Sequence, residues 1–137
     1  MRRAGAASLD RRIYFYISRN METEAALACL AALSQQTRLE AFRQLVRAEP
    51  QGLAAGELAR KLSVPQNTLS THLNVLSNAS LVASARKGRS VIYRADLTRL
   101  SALLRFLVED CCGGRPDACE PIVAELAPCC PQTSTSE

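Results

Sequence analysis

The chain has 137 residues, a formal net charge of +4, 47% apolar residues and 4% aromatic residues. That length holds one small domain rather than two full ones, and the apolar content excludes wholesale disorder. No run approaches the ~18 uncharged apolar residues of a membrane helix, and a single histidine leaves little material for a Ser/His/Asp or Cys/His catalytic engine.

Residues 1–20 carry five Arg and one Asp around the short apolar run 13–17. They lack the longer apolar core and small-residue cleavage site of a secretory signal. A poorly ordered basic extension is expected there, with Met21 as an alternative start to Met1. Residues 25–33 predict a helix with Leu27, Leu30 and Ala31 on one face. Ser34 is placed to cap the next helix. There Leu39, Phe42, Leu45 and Val46 recur at helical spacing, and Arg38, Arg43 and Arg47 stay outside. Pro50-Gln51-Gly52 breaks the chain. A short helix over Ala55–Leu62 buries Leu58, Ala59 and Leu62. Ser63-Val64-Pro65 predicts a tight turn, with Pro65 in the first turn of the helix that follows.

That following helix sets Leu69, Leu73 and Leu76 at i, i+4 and i+7, so Asn67, Ser70, Thr71 and Asn74 fall on the opposite side. This outer face is small, polar and free of acids, whereas a solvated helix normally carries Glu and Lys. Residues 81–85 and Ser90–Ala95 read as strands, the second alternating around Val91 and Tyr93. Arg86-Lys87-Gly88-Arg89 joins them, so three cations crowd a hairpin tip. Leu97, Leu100, Leu103, Leu104, Leu107 and Val108 mark a long helix that ends at Cys111-Cys112-Gly113-Gly114, where the glycines permit a reversal. Beyond Arg115, the prolines at 116, 121, 128 and 131 and a Ser/Thr tail predict loose structure, with one helical turn over 122–126.

Charge divides along the chain. Residues 53–95 sum to +5 and residues 109–137 to −5. A basic middle beside an acidic, cysteine-rich end implies two jobs, with the middle as a candidate nucleic-acid face.

A short helix, a tight turn, a polar-faced helix and a basic hairpin make a winged helix-turn-helix: a mainly α fold with a small β-hairpin. Its second helix enters a major groove and reads base edges with short amides and hydroxyls. The Asn67 amide can pair with adenine, and Ser70 and Thr71 can reach bases or phosphates. Gln66 flanks the helix N-terminus, where backbone N–H groups favour a phosphate. Arg86, Lys87 and Arg89 suit phosphates or the adjacent minor groove. His72 lies between the buried stripe and the flank, as a structural residue or a phosphate contact. A small helical domain that binds protein would not need the polar face or the basic hairpin.

Glu57-Leu58-Ala59, Leu62, Thr68-Leu69-Ser70-Thr71-His72-Leu73, Leu76, Leu81-Val82, Arg86-Lys87-Gly88-Arg89 and Tyr93 resemble the ArsR/SmtB metal-responsive repressors. Ser34-Gln35-Gln36-Thr37-Arg38-Leu39 is similar to that family's early Arg-containing helix, and the resemblance spans residues 25–110. One departure is Ser80, where the family usually has Gly. The resemblance implies a homodimer that binds an imperfect inverted repeat in its own operator DNA and leaves when an inducer binds. It brings Thr68 into the candidate DNA-contacting set. It also implies one DNA-binding and dimerisation domain over 21–110, followed by a cysteine-rich tail over 111–137.

The six cysteines are Cys29, Cys111, Cys112, Cys119, Cys129 and Cys130. With no export signal, an extracellular disulfide framework is not expected, and a cytoplasmic location is. Clustered thiols in a reducing compartment favour a soft ion. Cys29, near the apolar side of the first helix, reads as a buried small hydrophobe. Two sensor types of the family are absent. Residues 57–62 hold no cysteine, and the zinc type needs histidine on the last helix, whereas His72 is the only one here. What remains resembles the arsenic sensors whose cysteines lie past the last helix. That resemblance implies Cys111, Cys112 and Cys119 as ligands for As(III) or Sb(III), with Cys129 and Cys130 as runner-up ligands and no organic cofactor.

Glu109, Asp110 and a helix C-terminus beside Cys111 and Cys112 disfavour thiolate, whereas redox cysteines usually occupy positive surroundings. Arsenite arrives as a neutral hydroxide, so this setting penalises peroxide sensing more than arsenite sensing. The competing reading keeps the fold and makes a disulfide between Cys111 or Cys112 and Cys119, Cys129 or Cys130 the switch. An arsenate reductase loop needs Arg six positions after its cysteine. Asp117 and Ala118 stand there after Cys111 and Cys112, so an enzyme is not expected. A metal buffer without DNA binding leaves the polar helix face and the basic middle unexplained.

Overall fold

The structure, a computed structural model, describes residues 21–109 and 116–126. Helix α1 (Thr23–Leu33) leads into α2 (Gln36–Arg47), and strand β1 (Leu53–Ala54) into α3 (Ala55–Leu62). Helix α4 (Gln66–Asn78) precedes the hairpin of β2 (Val82–Lys87) and β3 (Ser90–Ala95). Helices α5 (Leu97–Glu109) and α6 (Pro116–Leu126) follow. The antiparallel sheet has the order β1-β3-β2, so β1 lies outside the hairpin and pairs Leu53 with Tyr93 and Ala54 with Ile92. This is the expected winged helix-turn-helix, with a third strand added.

Leu45 of α2, Leu58 of α3, and Leu69, Leu73 and Leu76 of α4 are fully buried, joined by Leu81 and Cys29. The leucine stripe expected on α4 is therefore the spine of the core. Burying each such side chain is worth about 1.5–3 kcal/mol. Cys29 is the buried small hydrophobe expected.

Several local expectations are corrected. In α1 the buried residues are Ala26, Cys29 and Ala32, while Leu27 and Leu30 are exposed, at 59% and 39%. This helix is apolar all round, and close packing against its neighbours selects the smaller face. Ser34 does not cap α2. It closes α1, its hydroxyl donating to Ala31 O, and Gln35 caps α2 by accepting from the Arg38 N–H at 2.8 Å. Arg38 is not free in solvent either. Its Nε donates to Ala32 O at 2.6 Å, placing a cation on the C-terminal carbonyls of α1. Leu39 is exposed, and Ala41 joins Phe42 and Leu45 on the buried side instead.

The turn between α3 and α4 is tight, as expected. Ser63 takes the left-handed conformation (φ 54°) and the Val64 N–H returns to Ala59 O. Pro65 stands at the N-cap of α4 rather than inside its first turn. Strand β2 runs on through Lys87, which pairs with Ser90, so only Gly88 and Arg89 form the turn. Gly88 has φ +64°, the position a two-residue hairpin turn gives to glycine. Residues 116–126 form a full helix rather than one turn: Pro116 opens it, and Pro121 sits inside. Among the described residues no helix is long and apolar enough to cross a membrane. The extension 1–20 and the residues after 126 lie outside the described residues.

Candidate nucleic-acid interface

Burial of Leu69, Leu73 and Leu76 turns the opposite side of α4 outward, and Gln66, Asn67, Thr68, Ser70 and Thr71 are all exposed there. The structure thus brings five of the sequence-predicted residues onto one surface. Their hydrogen bonds refine what each offers. Ser70 Oγ donates to Gln66 O at 3.0 Å and Thr71 Oγ1 to Asn67 O at 3.3 Å. Both hydroxyl hydrogens are occupied within the helix, so the oxygens face outward as acceptors. Asn67 Oδ1 accepts from the Thr68 N–H at 2.9 Å. Its amide NH2 makes no hydrogen bond among the described residues, and bidentate pairing with adenine would use that NH2 and the oxygen's second lone pair.

His72 is half-buried, and its Nδ1 is the one side-chain nitrogen or oxygen buried without a partner among the described residues. Nδ1 therefore makes no hydrogen bond here, which leaves Nε2 as the ring nitrogen through which His72 can reach a partner.

Arg86, Lys87 and Arg89 are exposed on the hairpin, and no ion pair among the described residues engages them. Arg94 differs. It forms an ion pair with Glu49 at 2.6 Å, and the hydrogen bond to that carboxylate, with its charge, raises the guanidinium pKa. Among the described residues the basic hairpin therefore presents the three unpaired cations expected at its tip, while Arg94 is held apart by Glu49.

A cleft of about 490 Å³ separates the hairpin from the helix-turn-helix, lined by Gly56, Glu57 and Arg60 of α3, Gln66 and Ser70 of α4, and Arg89. Arg60 is a site residue that sequence reasoning missed. Its charge was visible, but its place opposite Arg89 follows only from the approach of α3 to β3. The cleft brings the cations of Arg60 and Arg89 and the Ser70 hydroxyl together, with the Glu57 carboxylate beside them, and such cations and hydroxyls suit phosphate.

Of the expected thiol ligands, Cys111, Cys112, Cys129 and Cys130 lie outside the described residues. Cys119 lies on α6, and its side chain is outside them as well. Among the described residues no group of three or more His, Cys, Asp or Glu could hold a metal ion.

Comparison with known proteins agrees with this geometry. A family model described as a helix-turn-helix domain matches residues 33–85. The nodulation protein NolR of Rhizobium meliloti is 32% identical over 108 residues, spanning 77% of this chain and 85% of its own. The structure of an ArsR-like transcriptional regulator from Rhodococcus sp. RHA1 matches with a TM-score of 0.59 at 32% identity, covering 76% of this chain and 93% of that one. A possible transcriptional regulator for arsenical resistance matches with a TM-score of 0.52 at 28% identity, over 70% and 93% of the two chains. These relatives' names span nodulation and arsenical resistance, so membership carries DNA binding and leaves the signal to this chain's own residues. The chain belongs to the ArsR family of DNA-binding transcriptional regulators.

Proposed function

We propose that the protein is a cytoplasmic repressor that binds operator DNA as a homodimer and releases it when trivalent arsenic binds the thiols of its C-terminal tail. The observation that carries this reading is the cysteine distribution: five of the six cysteines fall within residues 111–130, directly after α5. Cys111, Cys112 and Cys119 supply three thiols, with Cys129 and Cys130 in reserve. Three thiols exchange with the three hydroxyls of arsenite and release three waters, so no oxidant is needed. Antimonite follows the same chemistry. The resemblance to arsenic sensors with thiols past the last helix supports the same choice.

In this reading Gln66, Asn67, Thr68, Ser70 and Thr71 face the major groove, His72 and the hairpin cations Arg86, Lys87 and Arg89 hold the backbone, and Arg60 joins them across the cleft. Leu27 and Leu30 of α1 and Leu104 of α5 are exposed on helices that pack together, an apolar surface suited to a second copy. Thiol binding at the end of α5 reaches that surface directly. Weakening DNA binding by about 100-fold takes only about 2.8 kcal/mol of differential binding.

The test is fluorescence anisotropy of the reduced protein on operator DNA, titrated in turn with arsenite, antimonite, methylarsenite, zinc and peroxide. Release by arsenite that is lost in Cys112→Ser is the expected result. Release by peroxide alone assigns the cysteines to a disulfide switch instead.

A further inference from the structure

Two helices converge on one carbonyl at the end of α4. The Ala79 oxygen accepts from Cys29 Sγ of α1 at 3.4 Å and from Arg99 Nε of α5 at 3.2 Å. Ala79 is the C-cap residue of α4, and it is buried. A helix C-terminus carries the equivalent of about half a negative charge, which a nearby cation stabilises. The last turn of α4 has no basic residue of its own. Arg99 supplies from α5 the cation that α4 lacks.

Arg99 is itself held in place. Its backbone N–H donates to Asp96 Oδ1 at 2.9 Å, and the Asp96 N–H donates to Leu81 O at 2.8 Å. The first turn of α5 is therefore fastened to the end of α4 through both side chain and main chain. Cys29 completes the junction from the other side: it fills the packed space beside Ala79 and donates a weak S–H bond to the same oxygen.

We propose that Arg99 is a positioning residue for DNA reading, seating the base-reading helix through its C-cap carbonyl. The proposal rests on α4 being that helix. Ala79 lies about 20 Å along α4 from Gln66 and Asn67, so Arg99 is far from the residues that would meet bases. A tilt of about 5° at the cap moves those N-terminal side chains by about 2 Å over that length. Hydrogen bonds to base edges tolerate only about half an ångström of spread. Contacts to phosphates from the flexible hairpin cations are far less sensitive. Loosening the cap therefore costs discrimination between sequences more than it costs attachment to DNA.

The experiment compares two duplexes: one selected from a randomised pool by the wild-type protein, and a scrambled duplex of the same composition. Arg99→Met keeps the aliphatic stem and removes the cation and donor. Its affinity for the selected duplex is expected to fall about tenfold, with the scrambled duplex unchanged and the circular dichroism spectrum intact. Arg99→Lys, which restores a cation, is expected to recover most of the lost ratio. The proposal is overturned if Arg99→Met keeps the ratio within twofold of wild type, or weakens both duplexes alike. Loss of the folded state in Arg99→Met makes the residue structural and also overturns it, as does an Arg99→Lys protein no better than Arg99→Met. A wild-type protein that enriches no sequence from the pool removes the reading helix, and the proposal with it, before any variant is measured.

Discussion

The Arg94 guanidinium donates to both carboxylate oxygens of Glu49, at 2.6 and 3.3 Å, and so ties β3 to the chain just after α2. Arg94 is one of the six bases that make residues 53–95 look uniformly basic. The ion pair removes it from that field. Its raised pKa keeps the guanidinium charged through neutrality, and that contribution is lost only as pH rises through the arginine range, so changes of pH near neutrality leave the pair unchanged. Arg86, Lys87 and Arg89 carry no such partner among the described residues.

The salt dependence of DNA binding separates these two kinds of arginine. Each cation that neutralises a phosphate contributes about 0.9 to the slope of log affinity against log salt. Arg86→Ala and Arg89→Ala are each expected to lower the slope by about that amount. Arg94→Ala is expected to leave it unchanged. A reduced slope in Arg94→Ala, measured by anisotropy at several salt concentrations, would place Arg94 on the DNA and break the assignment.

Gly52 and Gly88 both have positive φ, at +74° and +64°, but their surroundings differ. A Cβ on Gly52 would stand 2.5 Å from the Tyr93 carbonyl oxygen and 2.7 Å from Arg94 Cγ, whereas one on Gly88 would meet nothing within 4 Å. Left-handed strain costs about 1–2 kcal/mol for an L residue, and overpacking adds about 1–3 kcal/mol. Gly52→Ala should therefore lose about 2–5 kcal/mol, and Gly88→Ala about 1–2 kcal/mol, in urea denaturation. Equal losses at the two sites would refute the close approach of the loop to β3.

The Ser80 backbone makes the opposite prediction. Ser80 is exposed with φ +61°, between the Ala79 cap and buried Leu81. Its N–H and that of Leu81 return to Ser77 O and Leu76 O, which close the end of α4. Ser80→Gly relieves the left-handed strain and loses part of the gain to chain entropy in the unfolded state. A net stabilisation of about 0.5–1 kcal/mol is expected by urea denaturation. A destabilised variant would mean that the serine side chain contributes more than its strained backbone costs.

How far the sequence spoke depended on how local the cause was. The α4 stripe was legible because three leucines at helical spacing had only small polar residues opposite. Strand β1 was not, because its two residues are defined by pairing with Tyr93 and Ile92, some forty positions away. The buried face of α1 was misread because apolar residues surround it, and periodicity alone cannot tell Ala26 and Ala32 from Leu27 and Leu30. Helix α6 was missed because Pro116 and Pro121 signal breaks, although the first proline of a helix has no N–H to lose there. Arg38 read as a solvent charge, and nothing in the local pattern singled out Arg99. Both reach carbonyls at the ends of other helices, which no local pattern announces.

His72 carries a prediction about a single nitrogen. With Nδ1 buried and unpartnered, Nε2 is the ring nitrogen left to reach a partner. Glutamine places an amide NH2 near the position of Nε2, whereas alanine places nothing. His72→Gln is expected to bind operator DNA within about threefold of wild type. His72→Ala is expected to lose about 1 kcal/mol, the worth of one hydrogen bond. Nitrogen-15 shifts of the ring on adding DNA check the contact directly, and a hydrogen bond formed at Nδ1 rather than Nε2 would contradict the burial argument.

The exposed leucines of α1 and α5 give the sharpest consequence for assembly. Leu27 and Leu104 are 59% and 46% exposed on helices that pack against each other. In a symmetric dimer each substitution acts twice. Losing burial of about 1.5–3 kcal/mol per leucine weakens association by about 3–6 kcal/mol, a hundredfold or more. Leu27→Glu and Leu104→Glu are therefore expected to sediment as folded monomers at micromolar concentration, against the dimer proposed for the wild type. Neither side chain is in the core, so thermal unfolding of the monomer should remain cooperative. Operator binding should fall with dimerisation, because the proposed repressor engages its operator as a dimer. A Leu104→Glu protein that stays dimeric would move the interface away from the α1–α5 face, and with it the route by which thiol binding at the end of α5 would reach the DNA.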